Sequence, residues 1–269
     1  MSQNNQNNQN PCENCPMHNK ANLIRLGINP TNIDYVIALA GNPNTGKSTV
    51  FNNFTGLRQH TGNWPGKTVS RAEGGYIFND KKYKVVDLPG TYSLLSTSTD
   101  EEVARNFILF GQPDVTVIVA DATRLERNLN LALQILEITG RAVLCLNLMD
   151  EARRNHIEVD VRALSRELGI PVIPTSARSK EGMNELLIAI EDVITGKFVC
   201  KPYKIKSRSA AFNHAIGKIS KSLLEQFPGL PNVTWVAMRL LEGDRSITDA
   251  LKSGHLGSLS TQQELIEQH

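Results

Sequence analysis

The sequence predicts an α/β fold: a doubly wound, mostly parallel sheet over residues 35–197, followed by a helical domain over 198–269. Three observations carry this. Five short runs (Tyr35–Ala40, Lys84–Val86, Val115–Ala120, Ala142–Leu146 and Pro171–Ile173) are continuously rather than alternately apolar, as strands buried on both faces are. Helical stretches lie between them. Leu125, Leu129, Leu133 and Leu136 share one helix face, and Leu186, Ile190 and Val193 mark another within Ser179–Thr195. Such strand–helix alternation builds a sheet with helices on its faces. After Gly196 the alternation stops. Phe212, Ile216, Ile219, Leu223 and Phe227 form an amphipathic helix face ended by Pro228-Gly229. Val233–Leu241 and Asp244–Leu251 read as further short helices, and a last one starts near Ser260, where Ser260 and Gln263 fit a capping box.

The 269 residues suit one large domain with a smaller appendage. An apolar content of 40% with 19 glycines excludes a collagen, a disulfide scaffold or wholesale disorder. The formal net charge of +2 supplies no drive toward nucleic acid or an anionic membrane. No apolar run approaches the roughly 18 residues of a membrane span. The start, MSQNNQNNQN, lacks the basic and apolar regions of a secretory signal, so a soluble intracellular chain is expected. Residues 1–34 read as a polar, mostly disordered tail. Cys12 and Cys15, with His18 behind, make half of a zinc ligand set without a second pair, and two exposed thiols are the simpler account. Cys145, inside an apolar run, reads as core.

Ligands of open α/β sheets lie beyond the carboxyl ends of the strands. The first run leads into Gly41-Asn42-Pro43-Asn44-Thr45-Gly46-Lys47-Ser48, with Thr49 next, and satisfies G-x-x-x-x-G-K-[ST]. Its glycines let backbone N–H groups curl round a phosphate. Lys47 brings a point charge, Ser48 a hydroxyl for Mg²⁺, and the following helix its positive end. The second strand ends in Asp87-Leu88-Pro89-Gly90, where the carboxylate can hold Mg²⁺ and the Gly90 N–H can meet a γ-phosphate. The fourth ends in Asn147-Leu148-Met149-Asp150. An ionised Asp150 accepts two hydrogen bonds from guanine, whereas adenine would leave it unpaired. The fifth gives Thr175-Ser176-Ala177, whose backbone N–H groups suit guanine O6. Four elements in order, each at a strand end, point to a guanine-nucleotide site.

Residues 36–196 resemble the small-GTPase domain of the translation-factor-related class, a P-loop fold. Two departures stand out. Leu148 replaces the lysine of N-K-x-D, keeping a packing stem but losing an ammonium, so weakened nucleotide affinity is expected. Thr91 follows Gly90 where Ras-like proteins carry a water-orienting glutamine, and it is too short for that part, so slow hydrolysis is expected. The segment Gly62-Asn63-Trp64-Pro65-Gly66-Lys67-Thr68-Val69 reads as a mobile loop of the kind ordered by γ-phosphate and Mg²⁺, with Thr68 completing the metal shell. Trp64 is either a hydrophobic anchor or a functional group.

That segment, Asp87-Leu88-Pro89-Gly90-Thr91-Tyr92-Ser93-Leu94 and Leu148 together resemble the ferrous-iron transport protein B (FeoB) family over about residues 36–269. The resemblance implies a GTP-binding, slowly GTP-hydrolysing switch domain, stimulated by potassium, that regulates Fe(II) uptake by a membrane transporter. It places the domain at the cytoplasmic face of the bacterial inner membrane. The partner is the membrane-embedded remainder of the same polypeptide, with room for a homo-oligomer and none expected for nucleic acid. By position it gives Lys47, Thr68 and Gly90 to catalysis. Gly41, Asn42, Asn44, Thr45, Gly46, Lys47, Ser48, Thr49, Asp87, Gly90, Asn147, Asp150, Ser176 and Ala177 go to GTP or GDP. Ser48, Thr68 and Asp87 go to Mg²⁺. Asn44 goes to K⁺, against the plainer reading of a turn-forming asparagine. A rival reading is a soluble RNA-binding GTPase of the ribosome-assembly type, from Lys197, Lys201, Lys204, Lys206 and Arg208. Thin aromatic interleaving and near-neutral charge favour a basic interdomain linker instead.

Overall fold

The computed structural model describes residues 23–24, 26–56, 59–95, 98–204 and 209–252. The chain divides into two compact units, Leu26–Arg208 and a second made of Met1–Arg25 with Ser209–His269. The helix expected near Ser260 and the Cys12–Cys15–His18 group lie outside the described residues.

The first unit runs β1 (Tyr35–Gly41), α1 (Lys47–Thr55), β2 (Gln59–Asn63), β3 (Ser70–Phe78), β4 (Lys81–Asp87), α2 (Thr99–Gly111), β5 (Val115–Asp121), α3 (Leu125–Ile138), β6 (Ala142–Asn147), α4 (Met149–Arg154), α5 (Val161–Leu168), β7 (Val172–Pro174) and α6 (Met183–Ile194). All seven strands join one sheet in the order β2-β3-β4-β1-β5-β6-β7. β4, β1, β5, β6 and β7 are parallel, and β3 runs antiparallel to β2 and β4. The five expected apolar runs are these five parallel strands. β5 and β6 are buried at every residue, which is why they carry no polar alternation. Ile37, Leu39, Val117, Val119, Val143 and Cys145 pack with Phe51, Phe54, Leu186 and Ile190, each such side chain contributing about 1.5–3 kcal/mol when fully buried. Because the five strands are parallel, the segments after β1, β4, β6 and β7 open at one edge of the sheet.

Three features differ from the expectation. The segment 62–69 is the end of a β-hairpin rather than an irregular loop: Gly62 and Asn63 close β2, and the Trp64 and Lys67 N–H groups donate to Val69 O and Trp64 O, both at 3.0 Å. Its cause is Trp64, which is 4% exposed and meets the Phe107 ring edge-on at 5.4 Å. Residues 26–34 belong to the first unit, not to a tail. Ile28 is fully buried, and the Asp34 N–H donates to Lys82 O at 2.9 Å while its carboxylate accepts from the Lys82 N–H at 2.8 Å. α2 was not anticipated either. Ser98 caps it by accepting from the Glu101 N–H, acids fill its first turn, and Phe107, Ile108 and Leu109 are buried.

The second unit holds the expected helices: α7 (Ala210–Gln226), α8 (Val233–Leu241) and α9 (Arg245–Lys252). Ser209 caps α7, and its buried stripe is Ile216 and Leu223, while α8 buries Trp235, Val236, Ala237 and Met238. Among the described residues no helix is long and apolar enough to cross a membrane.

Candidate nucleotide-binding site

The phosphate-loop sequence turns directly out of β1 into α1. Gly41 passes so close to β5 that a Cβ would lie 2.6 Å from Val119 O. Gly46 has φ +79°, and a Cβ there would lie 2.4 Å from the Asn147 amide nitrogen. Both positions therefore require glycine. Asn44 is left-handed too, at φ 65°, a pose asparagine tolerates, and is exposed. The Thr45 hydroxyl donates to Asn42 O at 2.9 Å. Asn42 is 3% exposed, and its amide nitrogen is buried without a partner among the described residues. α1 starts without a side-chain cap or a first-turn acid, so its N–H groups and positive end are left to the loop; Ser48 and Thr49 stand exposed there.

Lys47 reaches across to the end of β4. Its ammonium pairs with the Asp87 carboxylate and donates to Leu88 O at 2.7 Å. Burial pushes the Asp87 carboxyl above its ordinary range, and Lys47 opposes that shift. A Cβ added at Gly90 would stand 3.5 Å from Pro43 Cα, so the D-x-x-G turn lies over the phosphate loop. Thr91 is buried, with its N–H on Gly41 O at 3.3 Å. Thr68 is exposed at the hairpin end.

The second half of the site is organised by Asn147, which is 1% exposed. Its amide nitrogen donates to Thr45 O at 2.9 Å, while its amide oxygen accepts from the Ala177 N–H at 2.9 Å. Phosphate loop and base loop are thereby tied to one side chain. Leu148 is left-handed, at φ 61°, and its Cδ2 lies 3.9 Å from where a Gly46 Cβ would stand. The stem expected over the phosphate loop is in place. Asp150 is part-exposed in the first turn of α4, 3.3 Å from Arg154. The Ser176 and Ala177 N–H groups, expected to suit guanine O6, each have a partner within the protein. Ser176 donates to Glu181 O at 3.0 Å, which closes the loop on itself, and Ala177 donates to Asn147.

Asn53 and the pair Arg153–Glu181 were missed. Asn53, on α1, donates to Ala177 O at 2.6 Å, so the phosphate-loop helix also holds the base loop. Arg153 forks onto Glu181 across that loop. Neither residue carries a local motif, and only the fold brings them together.

A parallel sheet with a phosphate loop after β1, a D-x-x-G turn after β4 and N-x-x-D after β6, all at one edge, defines a P-loop GTPase domain. The family model described as ferrous iron transport protein B matches residues 35–190, and the chain belongs to that family. An Fe(2+) transporter FeoB of Escherichia coli (strain K12) is 39% identical over 212 residues, covering 77% of this chain, as is one of Salmonella typhi. The chain spans 27% of the length of these relatives. The cytosolic domain of L. pneumophila FeoB superposes with a TM-score of 0.72 at 34% identity, covering 86% of this chain and 91% of that one. The cytosolic domain of the T. maritima FeoB iron transporter in a GDP form gives 0.73 at 34% identity, covering 83% and 86%. The same domain in its GMPPNP form gives 0.73 at 33%. These relatives do not favour the RNA-binding alternative.

Proposed function

We propose that this chain binds GTP and GDP, hydrolyses GTP slowly and with potassium stimulation, and through that cycle regulates Fe(II) uptake by the membrane-embedded remainder of the same polypeptide, at the cytoplasmic face of the inner membrane. The observation that carries the reading is the Asn147 side chain, bonded at once to Thr45 O and the Ala177 N–H, which sets a phosphate-binding and a purine-binding loop side by side. Relatives at 33–34% identity are solved in GDP and GMPPNP forms. Residues 35–197 form the GTPase domain in this reading and 198–269 a helical spacer, with self-association left to the assembled transporter.

Each residue has a role that its surroundings suit. Backbone N–H groups of Gly41–Thr49, Pro43 excepted, and the orphaned Asn42 amide donate to phosphate oxygens. Lys47 exchanges Leu88 O and Asp87 for the β/γ-phosphates, and the Gly90 N–H receives the γ-phosphate. Asp150 takes the guanine N1–H and 2-amino group. The Ala177 N–H is shared between Asn147 and guanine O6, as three-centre bonds allow, with Ser176 holding the loop's shape. The donor set fits Mg²⁺: all oxygen, from one largely buried carboxylate, Asp87, and the exposed hydroxyls of Ser48 and Thr68. Mg²⁺ supplies charge neutralisation to the phosphates. The Asn44 amide oxygen, at the turn of the phosphate loop, is the K⁺ ligand, and Thr91, buried and short, leaves the attacking water without a glutamine.

Phosphate release from GTP by the purified chain, compared in KCl and NaCl, tests this. Faster release in KCl, with the difference abolished by Asn44→Ala, is expected. Equal rates in both salts remove potassium from the reading. Absence of both GDP affinity and GTP-dependent phosphate release with Mg²⁺ present overturns it altogether. The transport role is tested on the full-length protein, where Lys47→Ala must diminish Fe(II) entry into proteoliposomes supplied with GTP.

A further inference from the structure

The base loop is held from two sides. From inside, Asn147 and Asn53 fix the Ala177 N–H and carbonyl. From outside, Arg153 of α4 reaches over it: Nη1 donates to Glu181 Oε1 at 3.0 Å, and Nη2 to Glu181 Oε2 at 2.6 Å and to Ser176 Oγ at 3.3 Å. The Arg153 Nε donates back to Met149 O at 3.3 Å, so the guanidinium is anchored on its own helix. Glu181 closes the loop twice, because its carbonyl also accepts from the Ser176 N–H. At Gly182 (φ +76°) a Cβ would stand 2.2 Å from Pro174 O, so the chain's return toward α6 has no slack.

We propose that the Arg153–Glu181 fork is a positioning clamp that sets how long a guanine nucleotide stays bound, by holding loop 176–181 against the helix that carries Asp150. The proposal rests on the guanine reading above and deepens it. In that reading Asp150 and the loop both meet the purine, and Arg153 is the side chain that ties the helix carrying Asp150 to the loop.

The clamp differs from an ordinary surface ion pair. Its geometry is bidentate and planar, which ties orientation as well as distance, and a third bond reaches the loop backbone's neighbour Ser176. The hydrogen bond from Arg153 holds the Glu181 carboxyl below its ordinary range, so both partners stay charged at neutral pH. Both side chains are nevertheless about half exposed, 57% and 52%, so salt screens the pair and its removal opens no cavity. Without it, the buried Asn147 and Asn53 bonds still keep the loop near its place. What is lost is the limit on its outward excursion. The consequence is faster release of the base rather than unfolding.

The test is stopped-flow release of ribose-labelled GDP from the whole chain. Arg153→Ala and Glu181→Ala each accelerate release about three- to tenfold, leaving the association rate within about twofold. The charge-swapped double variant, Arg153→Glu with Glu181→Arg, returns release to within about twofold of the parent. Added salt speeds the parent toward the variants, whose own rates stay flat. Labelled IDP, which lacks only the 2-amino group, shows the full acceleration. The diphosphate of 2-aminopurine riboside, which lacks O6, leaves parent and variants at equal rates. Unchanged GDP release in both single variants overturns the clamp, as does equal acceleration for all three nucleotides, which marks a general loss of structure. A parent chain that fails to bind GDP overturns the guanine reading and the clamp with it.

Discussion

The Asn147 amide nitrogen meets the Thr45 carbonyl at 2.9 Å across two loops that lie 102 residues apart in the chain. Asn147→Ala removes this bond and the acceptor for the Ala177 N–H, leaving two buried backbone groups without partners. A loss of about 2–4 kcal/mol in stability is expected, read as a lowered thermal midpoint. GDP titration should show affinity reduced by about a hundredfold or more.

Gly46 allows no side chain. Gly46→Ala puts a methyl against the Asn147 amide in a left-handed backbone, at a cost of about 1–3 kcal/mol. The variant should lose detectable GTP binding while its circular dichroism remains that of an α/β protein.

Asp150 is part-exposed and its ion-pair partner is the exposed Arg154, so Asp150→Ala should leave the thermal midpoint nearly unmoved, by about 0.5 kcal/mol or less. Competition between GTP and ATP for the site should then show no preference. Retained discrimination would refute the assignment of Asp150 to the base.

Trp64 is the optical reporter of the hairpin end, buried against Phe107 with Arg71 5.6 Å from its ring centre. In a Trp235→Phe background its emission should change when a non-hydrolysable GTP analogue and Mg²⁺ are added, and Thr68→Ala should abolish the change while sparing GDP binding. An unaltered signal in the parent would show that this hairpin does not respond to the nucleotide.

Cys145 is fully buried beside the Thr175 hydroxyl, and burial pushes its thiol up to about 12. At pH 8 only about one molecule in ten thousand carries the thiolate. Peptide-resolved alkylation should leave Cys145 unmodified in the native protein and modify it in urea. Cys200, half-buried on Ala142 O, should react first of the two.

What was legible in the sequence follows from where each signal is written. β1, β5 and β6 announce themselves because both of their faces are covered, and the phosphate loop because only glycine fits at Gly41 and Gly46. β2, with the sequence QHTGN and exposed along nearly all its length, has neither apolar alternation nor a turn signal, and pairing with β3 alone defines it. Leu26, Ile28 and Ile33 are spaced without a helix or strand period beside Gly27 and Pro30, and the placing of Ile28 rests on Lys84 donating to Asn29 O and on Asp34 meeting Lys82, contacts between distant segments. Arg153 and Glu181 are 28 residues apart on different elements. Local pattern holds no trace of such a pair. The partners of the Ser176 and Ala177 N–H groups are not written in the sequence, because local pattern does not reveal how a loop spends its own donors.

The pairing of Lys47 with Asp87 has a further consequence for ligand choice. A phosphate that draws the ammonium away strips a largely buried carboxylate of its counter-charge, and an abandoned anion with little access to water is costly. The pocket therefore favours an electrically balanced guest over a bare polyanion. In the proposed reading Mg²⁺ restores that counter-charge, so nucleotide and ion should each raise the other's affinity by the same factor, and chelating the ion should eject the nucleotide.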